Sequence, residues 1–275
     1  MSLPFAEVIG DPIAQSKSPL IHKHWLSLLD IEADYLRTTV APADLSAFLQ
    51  ERRADEDWRG CNVTVPHKEA VVPLIDELDA SAAAVGAVNC IVPREGQLVG
   101  FNTDVDGIAA ALDGTELEER SAILIGAGGA ARAAVAYLAG RNLENLTVLA
   151  RDPVKAESLR SLAPRIAFEF QPLESGNAPA NPAAIINASP LGMVGSAAMQ
   201  EILLAAMAAR ASRATLFDMV YNPLETPFLS MGLAASGNVV DGLTMLIGQA
   251  QRAFELFFDQ LAPPQGPELR DLLTT

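Results

Sequence analysis

Short apolar runs alternate with stretches of helical periodicity along most of the chain. In the first hundred residues, Phe5 to Ile9, Tyr35 to Val40 and Cys61 to Val65 read as strands, the last stopped by Pro66. Ser18-Pro19 opens a helix running to about Leu29, with proline in the first turn, where its missing N–H costs nothing. A second helix runs from Asp44 to about Glu51. Ala87 to Val92 and Gln97 to Phe101 pattern as a hairpin around Arg94-Glu95-Gly96. From Ser121 the alternation becomes regular. Strands are expected at Ala122 to Gly126, Leu146 to Leu149, Ala184 to Asn187 and Thr215 to Asp218, with helices at Ala130 to Leu138 and Pro153 to Leu162. The Pro-, Gly- and Asn-rich stretch from Gln171 to Pro182 reads as a surface loop.

This pattern predicts an α/β protein of two domains. The last long apolar-faced helix, Leu243 to Leu261, is expected to pack back onto the first domain and make it discontinuous. The expected division is residues 1–104 with 240–275 as an N-terminal α/β domain, and 105–239 as a doubly wound domain. A length of 275 residues, half of them hydrophobic, suits two medium cores.

Charge and cysteine content narrow the partners. A formal charge of −15 argues against nucleic acid and against an anionic membrane surface, since both need clustered Lys and Arg. No apolar run is long enough to span a bilayer, and MSLPFAEVIGDP lacks the basic start and apolar core of a signal peptide. Cys61 and Cys90 read as small buried apolar residues, and no His, Cys and carboxylate set has metal-ligand spacing. The expectation is a cytoplasmic protein, monomeric or homodimeric, without a metal. Of its histidines, His22 and His24 read as surface or packing residues, and His67 as loop support.

The loop Gly126-Ala127-Gly128-Gly129-Ala130-Ala131 follows a buried strand and opens a helix, the setting in which a glycine triplet binds a pyrophosphate. Gly126 permits the tight turn, Gly128 lets backbone approach the anion, and Ala131 is small enough for close helix–strand packing. Exposed amides of the helix N-terminus face the phosphates. At the end of the following strand, where NAD sites usually carry a carboxylate, stand Ala150, Arg151 and, four residues after Arg151, Lys155. Two cations suit the 2′-phosphate of NADP, and one charged hydrogen bond of about 1.5–3 kcal/mol gives roughly a ten- to hundredfold preference. Asp152 pulls the other way, as a ribose ligand, or is simply the N-cap of the next helix.

Three donor-rich clusters lie in the first domain: Ser16-Lys17-Ser18, the run from Asn62 through Thr64 to Lys68, and Asn102-Thr103-Asp104. Together with a dinucleotide fold they suggest a pocket for a small polyhydroxylated acid. Here the sequence closely resembles the shikimate dehydrogenases, in GDPIAQSKSP, NVTVPHK, GAVNCI, NTDVDG, GAGGAAR, NASPLGM, DMVYNPLETP and DGLTMLIGQA. These motifs span nearly the whole chain. The resemblance implies an N-terminal substrate domain joined to an NADP-binding Rossmann domain, and reversible NADPH-dependent reduction of 3-dehydroshikimate to shikimate within aromatic amino-acid biosynthesis. It implies that Lys68 and Asp104 form the catalytic pair and that Ser16 and Ser18 bind the substrate carboxylate. Asn62, Thr64, Asn89, Tyr221 and Gln249 would contact ring hydroxyls or carboxylate. Gly242 and Met245 would lie near the nicotinamide, with Asn187, Ser189 and Met219 lining the cofactor cleft. Ala150 and Asp152 replace the Asn and Thr that often flank the cofactor-selecting Arg, so coenzyme preference is what they affect. Activity on quinate and a catalytically silent NADP sensor are the competing readings. Ser18 leans towards shikimate because quinate-using members often carry Thr there.

Overall fold

The computed structural model describes residues 3–274. The chain divides into two compact units, one made of residues up to Asp104 together with those from Gln249 onward, the other of Val105–Gly248.

The first unit is built on six strands: β1 (Phe5–Gly10), β2 (Asp34–Thr39), β3 (Trp58–Val63), β4 (Glu77–Leu78), β5 (Cys90–Arg94) and β6 (Gln97–Phe101), in the order β2-β1-β3-β5-β6-β4. β1 pairs in parallel with β2 and β3, whereas β5 runs antiparallel to both β3 and β6. The hairpin between β5 and β6 turns on Glu95 and Gly96, with φ of 50° and 80°. A left-handed pair of this kind matches the twist of the flanking strands. Period-two alternation sends Ile9, Cys61, Ile91 and Leu98 to one core, which Trp58 joins across a register shift in β3, and Ala6, Val8, Cys90, Val99 and Phe101 to another. The second core is closed by Ala253 and Phe257 of the helix Gly242–Phe258, which is why this unit is discontinuous in sequence. Gly60 lets that helix in: a Cβ there would lie 2.3 Å from the Ile91 carbonyl oxygen and 2.7 Å from the Phe257 ring.

The second unit holds β7 (Ser121–Ile125), β8 (Asn145–Ala150), β9 (Ala167–Pro172), β10 (Ala184–Asn187), β11 (Thr215–Asp218) and β12 (Asn238–Val240). Their order is β12-β11-β10-β7-β8-β9, and all the pairings are parallel. Strands buried on both faces read as continuous apolar runs, and Ala122–Ile125 and Ala184–Ile186 are each wholly buried.

Several boundaries differ from the sequence reading. The third strand begins at Trp58 and ends at Val63, because Thr64 leaves the ladder to start the turn into the helix His67–Ala70. The expected loop from Gln171 loses its first two residues to β9, an edge strand that the pattern alone did not mark. The last long helix stops at Phe258, where Asp259 takes a left-handed φ of 51°. The unit boundary falls inside that helix, not at 240. Gly242 lies against the Met219 and Val220 carbonyls, and Gly248 against Gly107 and Ala110, so its first turns pack with the second unit.

His22 is a packing residue. It is fully buried, its ring stacks on Tyr35 with centroids 4.0 Å apart and planes 5° apart, and neither ring nitrogen has a hydrogen-bond partner. Burial lowers its pKa from 6.5 to about 3. His67 is also buried, and its Nε2 donates to the Val40 carbonyl at 2.7 Å. Below pH 6.5 the unfolded chain takes up a proton at His22 that the folded chain refuses until about pH 3. Stability therefore falls with acidification by up to about 1.4 kcal/mol per pH unit across that window, from this group alone. His22→Phe, which keeps a stacked ring, is expected to flatten the dependence of urea-unfolding free energy on pH between 6 and 4. An unchanged slope would show that His22 is not buried in its neutral form.

Candidate active site

The first unit concentrates its polar side chains at the ends of β3 and β6 and the start of β5. β3 brings Asn62 opposite Cys90, and the Asn89 carbonyl accepts both the Val63 N–H (2.8 Å) and Asn62 Nδ2 (3.2 Å). After β3, Thr64 donates its N–H to Ile9 and accepts from His67, closing the turn that starts the short helix carrying Lys68. The Lys68 carbonyl accepts the Val88 N–H at 2.8 Å, which anchors that helix beside β5.

Lys68 Nζ lies 2.5 Å from Asp104 Oδ2. The carboxylate is nearly buried (9% exposed), while a quarter of the Lys68 side chain remains accessible. Asp104 is the first residue of the helix Asp104–Ala111, and its other oxygen accepts Asn89 Nδ2 at 2.9 Å. Both carboxylate oxygens are thus held, and the ammonium keeps N–H capacity for a third group. A charged donor fixed in this way can hydrogen-bond an alcohol or ketone oxygen and exchange a proton with it.

Asn89 also bonds Thr103: its Oδ1 accepts the Thr103 N–H at 2.7 Å, and its Nδ2 lies 3.1 Å from Thr103 Oγ1. Thr103 Oγ1 in turn reaches Gln249 Oε1 at 3.4 Å. One network therefore joins Asn62, Asn89, Thr103, Asp104, Lys68 and Gln249. Ser16 and Ser18 form a separate pair just before the first helix, with hydroxyls 3.3 Å apart. Arg37 fixes their loop by donating twice to the Ser16 carbonyl, at 2.7 and 3.0 Å. Thr103 and Arg37 were not among the residues expected to form the site. Thr103 sits inside the donor cluster Asn102-Thr103-Asp104, but Arg37 lies in a strand and gave no signal.

In the second unit, Gly126 has a φ of +110°, and a Cβ there would press on the Ala188 carbonyl at 3.0 Å. Gly128 and Gly129 have nothing within 4 Å of where a Cβ would stand, so their backbone is open to a ligand. Gly128 is the N-cap of the helix Gly129–Ala139, with Ala130 in its first turn and Ala131 fully buried. Beside this turn is a cavity of about 230 Å³ lined by Gly126, Ala127, Gly128, Arg151, Lys155 and Ser189, among others. A glycine cradle, a helix N-terminus and two exposed cations fit the phosphates of a dinucleotide. Asp152 is occupied differently: one carboxylate oxygen accepts the N–H groups of Val154 (3.0 Å) and Lys155 (3.2 Å) as the cap of the next helix.

The remaining expected cofactor residues sort by exposure. Asn187 is fully buried, with its amide used by Leu191, Asp218 and Ser189. It shapes the turn that presents Ser189 to the cavity. Asp218, held by Asn187, Thr226 and the Val220 N–H, has its pKa raised by burial, which outweighs those bonds. Met219, Tyr221 and Met245 are half-buried, and burial likewise raises the Tyr221 pKa. Gly242 is obligatory, since a Cβ would lie 2.6 Å from the Val220 carbonyl.

Comparison with known proteins agrees with both halves. The profile described as "Shikimate dehydrogenase substrate binding domain" matches residues 8–91, and that of "Shikimate / quinate 5-dehydrogenase" matches residues 109–220. A shikimate dehydrogenase (NADP(+)) of Sphingopyxis alaskensis is 45% identical over 273 residues, covering 98% of this chain and 97% of the relative. Among solved structures, shikimate 5-dehydrogenase from Thermus thermophilus in complex with NADP(H) and shikimate superposes with a TM-score of 0.85 at 33% identity, covering 98% of this chain and all of that one. The ligand-free 5-ketofructose reductase of Gluconobacter sp. strain CHM43 superposes with a TM-score of 0.87 at 29% identity, covering 96% and 95%. With near-complete coverage in sequence and in fold, and with both domain profiles matched, this chain belongs to the shikimate dehydrogenase family.

Proposed function

We propose that this protein interconverts 3-dehydroshikimate and shikimate with NADP(H), and that Lys68 and Asp104 manage the proton. The observation that carries this assignment of roles is the Lys68–Asp104 contact of 2.5 Å, anchored on its far side by Asn89. When bound, the nicotinamide supplies the hydride to the ketone carbon, or accepts it from the alcohol carbon. The chain does the rest. In reduction, Lys68 Nζ donates a hydrogen bond to the carbonyl oxygen and then delivers its proton as that oxygen becomes a hydroxyl. In oxidation the same nitrogen takes the proton back, and Asp104 orients it in both directions.

Ser16 and Ser18 hold the substrate carboxylate, while Asn62, Thr64, Asn89, Tyr221 and Gln249 read its hydroxyls. The unit bearing the Lys68–Asp104 pair is the substrate domain, and Val105–Gly248 is the coenzyme domain. Arg151 and Lys155 bind the 2′-phosphate, and Asp152 serves the helix cap. Among the described residues no helix is long and apolar enough to cross a membrane. The proposal places the enzyme in the cytoplasm.

Lys68→Ala is expected to lower kcat by about 10²- to 10⁴-fold with an unchanged melting temperature. Turnover near that of the wild type would remove Lys68 from the chemistry. Arg151→Ala should raise the KM for NADP+ by roughly ten- to hundredfold and leave that for NAD+ nearly unchanged. Asp152→Asn keeps a capping oxygen, so the NADP+/NAD+ ratio of kcat/KM should move by less than about threefold. A tenfold swing towards NADP+ would mean that the Asp152 carboxylate repels the phosphate after all. A matrix of shikimate and quinate against both coenzymes, read at the reduced-nicotinamide band, is expected to favour shikimate with NADP+. A 5-ketofructose arm, read as NADPH consumption, should be weak because that sugar offers no carboxylate to the serine pair. No turnover of shikimate would overturn the proposed function.

A further inference from the structure

Tyr35 makes the shortest described bond to Asn62 and belongs to none of the groups assigned so far. Its hydroxyl lies 2.6 Å from Asn62 Oδ1, and its ring is fully buried against His22. The direction of this bond follows from its neighbours. Asn62 Nδ2 faces the Asn89 carbonyl oxygen, which can only accept. Turning the amide over would set two acceptors against each other, so Nδ2 must stay there and Oδ1 must face Tyr35. The phenol is therefore the donor. Asn62 is left with one Nδ2–H not committed to any described protein bond, in a side chain only 5% exposed.

A flat neutral face holds the phenol in place. His22 is parallel to it at 4.0 Å, and with no hydrogen-bond partner on either nitrogen it cannot compete for the hydroxyl.

We propose that Tyr35 is a positioning residue that fixes the Asn62 amide so that its free N–H is presented to a substrate oxygen. This rests on the reading of Asn62 as a substrate ligand. The bond forms in the free enzyme and changes little as the oxygen changes hybridisation. Its loss therefore weakens ground state and transition state alike.

Tyr35→Phe removes one oxygen and keeps the stacked ring. It is expected to raise the KM for shikimate about three- to tenfold at saturating NADP+, with kcat within about twofold and the KM for NADP+ unchanged. In an Asn62→Ala background the same substitution should add nothing further to the KM, because the amide it orients is gone. An unchanged KM in Tyr35→Phe, or effects that multiply independently in the double variant, would overturn the proposal. If the wild type is active on shikimate but Asn62→Ala alone leaves its KM intact, the reading of Asn62 fails first, and this inference with it. Should Tyr35→Phe not fold, the wild-type protein decides by side-chain amide NMR. Adding shikimate must shift the Asn62 Nδ2–H pair, and an unshifted pair at saturation overturns the proposal.

Discussion

Asn89 leads into β5 where the ends of β3 and β6 meet, and it bonds to both of them and to the turn after β6. Its carbonyl accepts from Val63 and Asn62, its N–H donates to Phe101, and its side chain holds Thr103 and Asp104. A buried amide with this many partners has little freedom, since any rotation leaves polar groups unpaired at a cost of about 1–3 kcal/mol each. The position of the Asp104 carboxylate follows from it, and with Asp104 the orientation of Lys68 Nζ. The chemistry attributed to the lysine depends on a residue that need not move a proton itself.

On the proposed function, the two halves recognise charge by different means. In the coenzyme unit the backbone does most of the work: Gly126 makes the turn, Gly128 and Gly129 leave the amides open, and Arg151 and Lys155 stand exposed at the next strand end. In the unit proposed to bind substrate, side chains would do it, with Asn62, Asn89, Asp104 and Lys68 held in one network. The chain carries −15 overall while its substrate and coenzyme are anions, so long-range attraction cannot gather them. Binding must come from these local donors, at distances where net charge matters less than the direction of an N–H.

Asp152 shows how a residue's neighbours change its meaning. As a letter in the sequence it was an acid next to the coenzyme-selecting arginine, and two roles were open to it. The structure gives its oxygen to two backbone N–H groups of the following helix, which otherwise would lack partners. One oxygen of the carboxylate is thereby tied to the helix end, and Asp152 lines the cavity together with Arg151 and Lys155.

Much of this protein was readable from one dimension because its signals are local. Apolar runs located β10 and β11 to the residue, the glycine loop marked the start of the helix Gly129–Ala139, and quoted motifs contained most of the proposed site residues. Edge strand β9 and the division of the helix Gly242–Phe258 between two units were not readable, since each depends on what packs alongside. The same holds for the supporting polar groups. In the sequence Tyr35 and Arg37 read only as positions of an expected strand. Only tertiary structure set the phenol against Asn62 and the guanidinium against the Ser16 carbonyl. Sequence periodicity specifies which face of an element a residue occupies. The partner across the gap, 27 or 21 residues away, is chosen by the register of strands. That register is fixed when whole faces are buried together, and no local pattern records it.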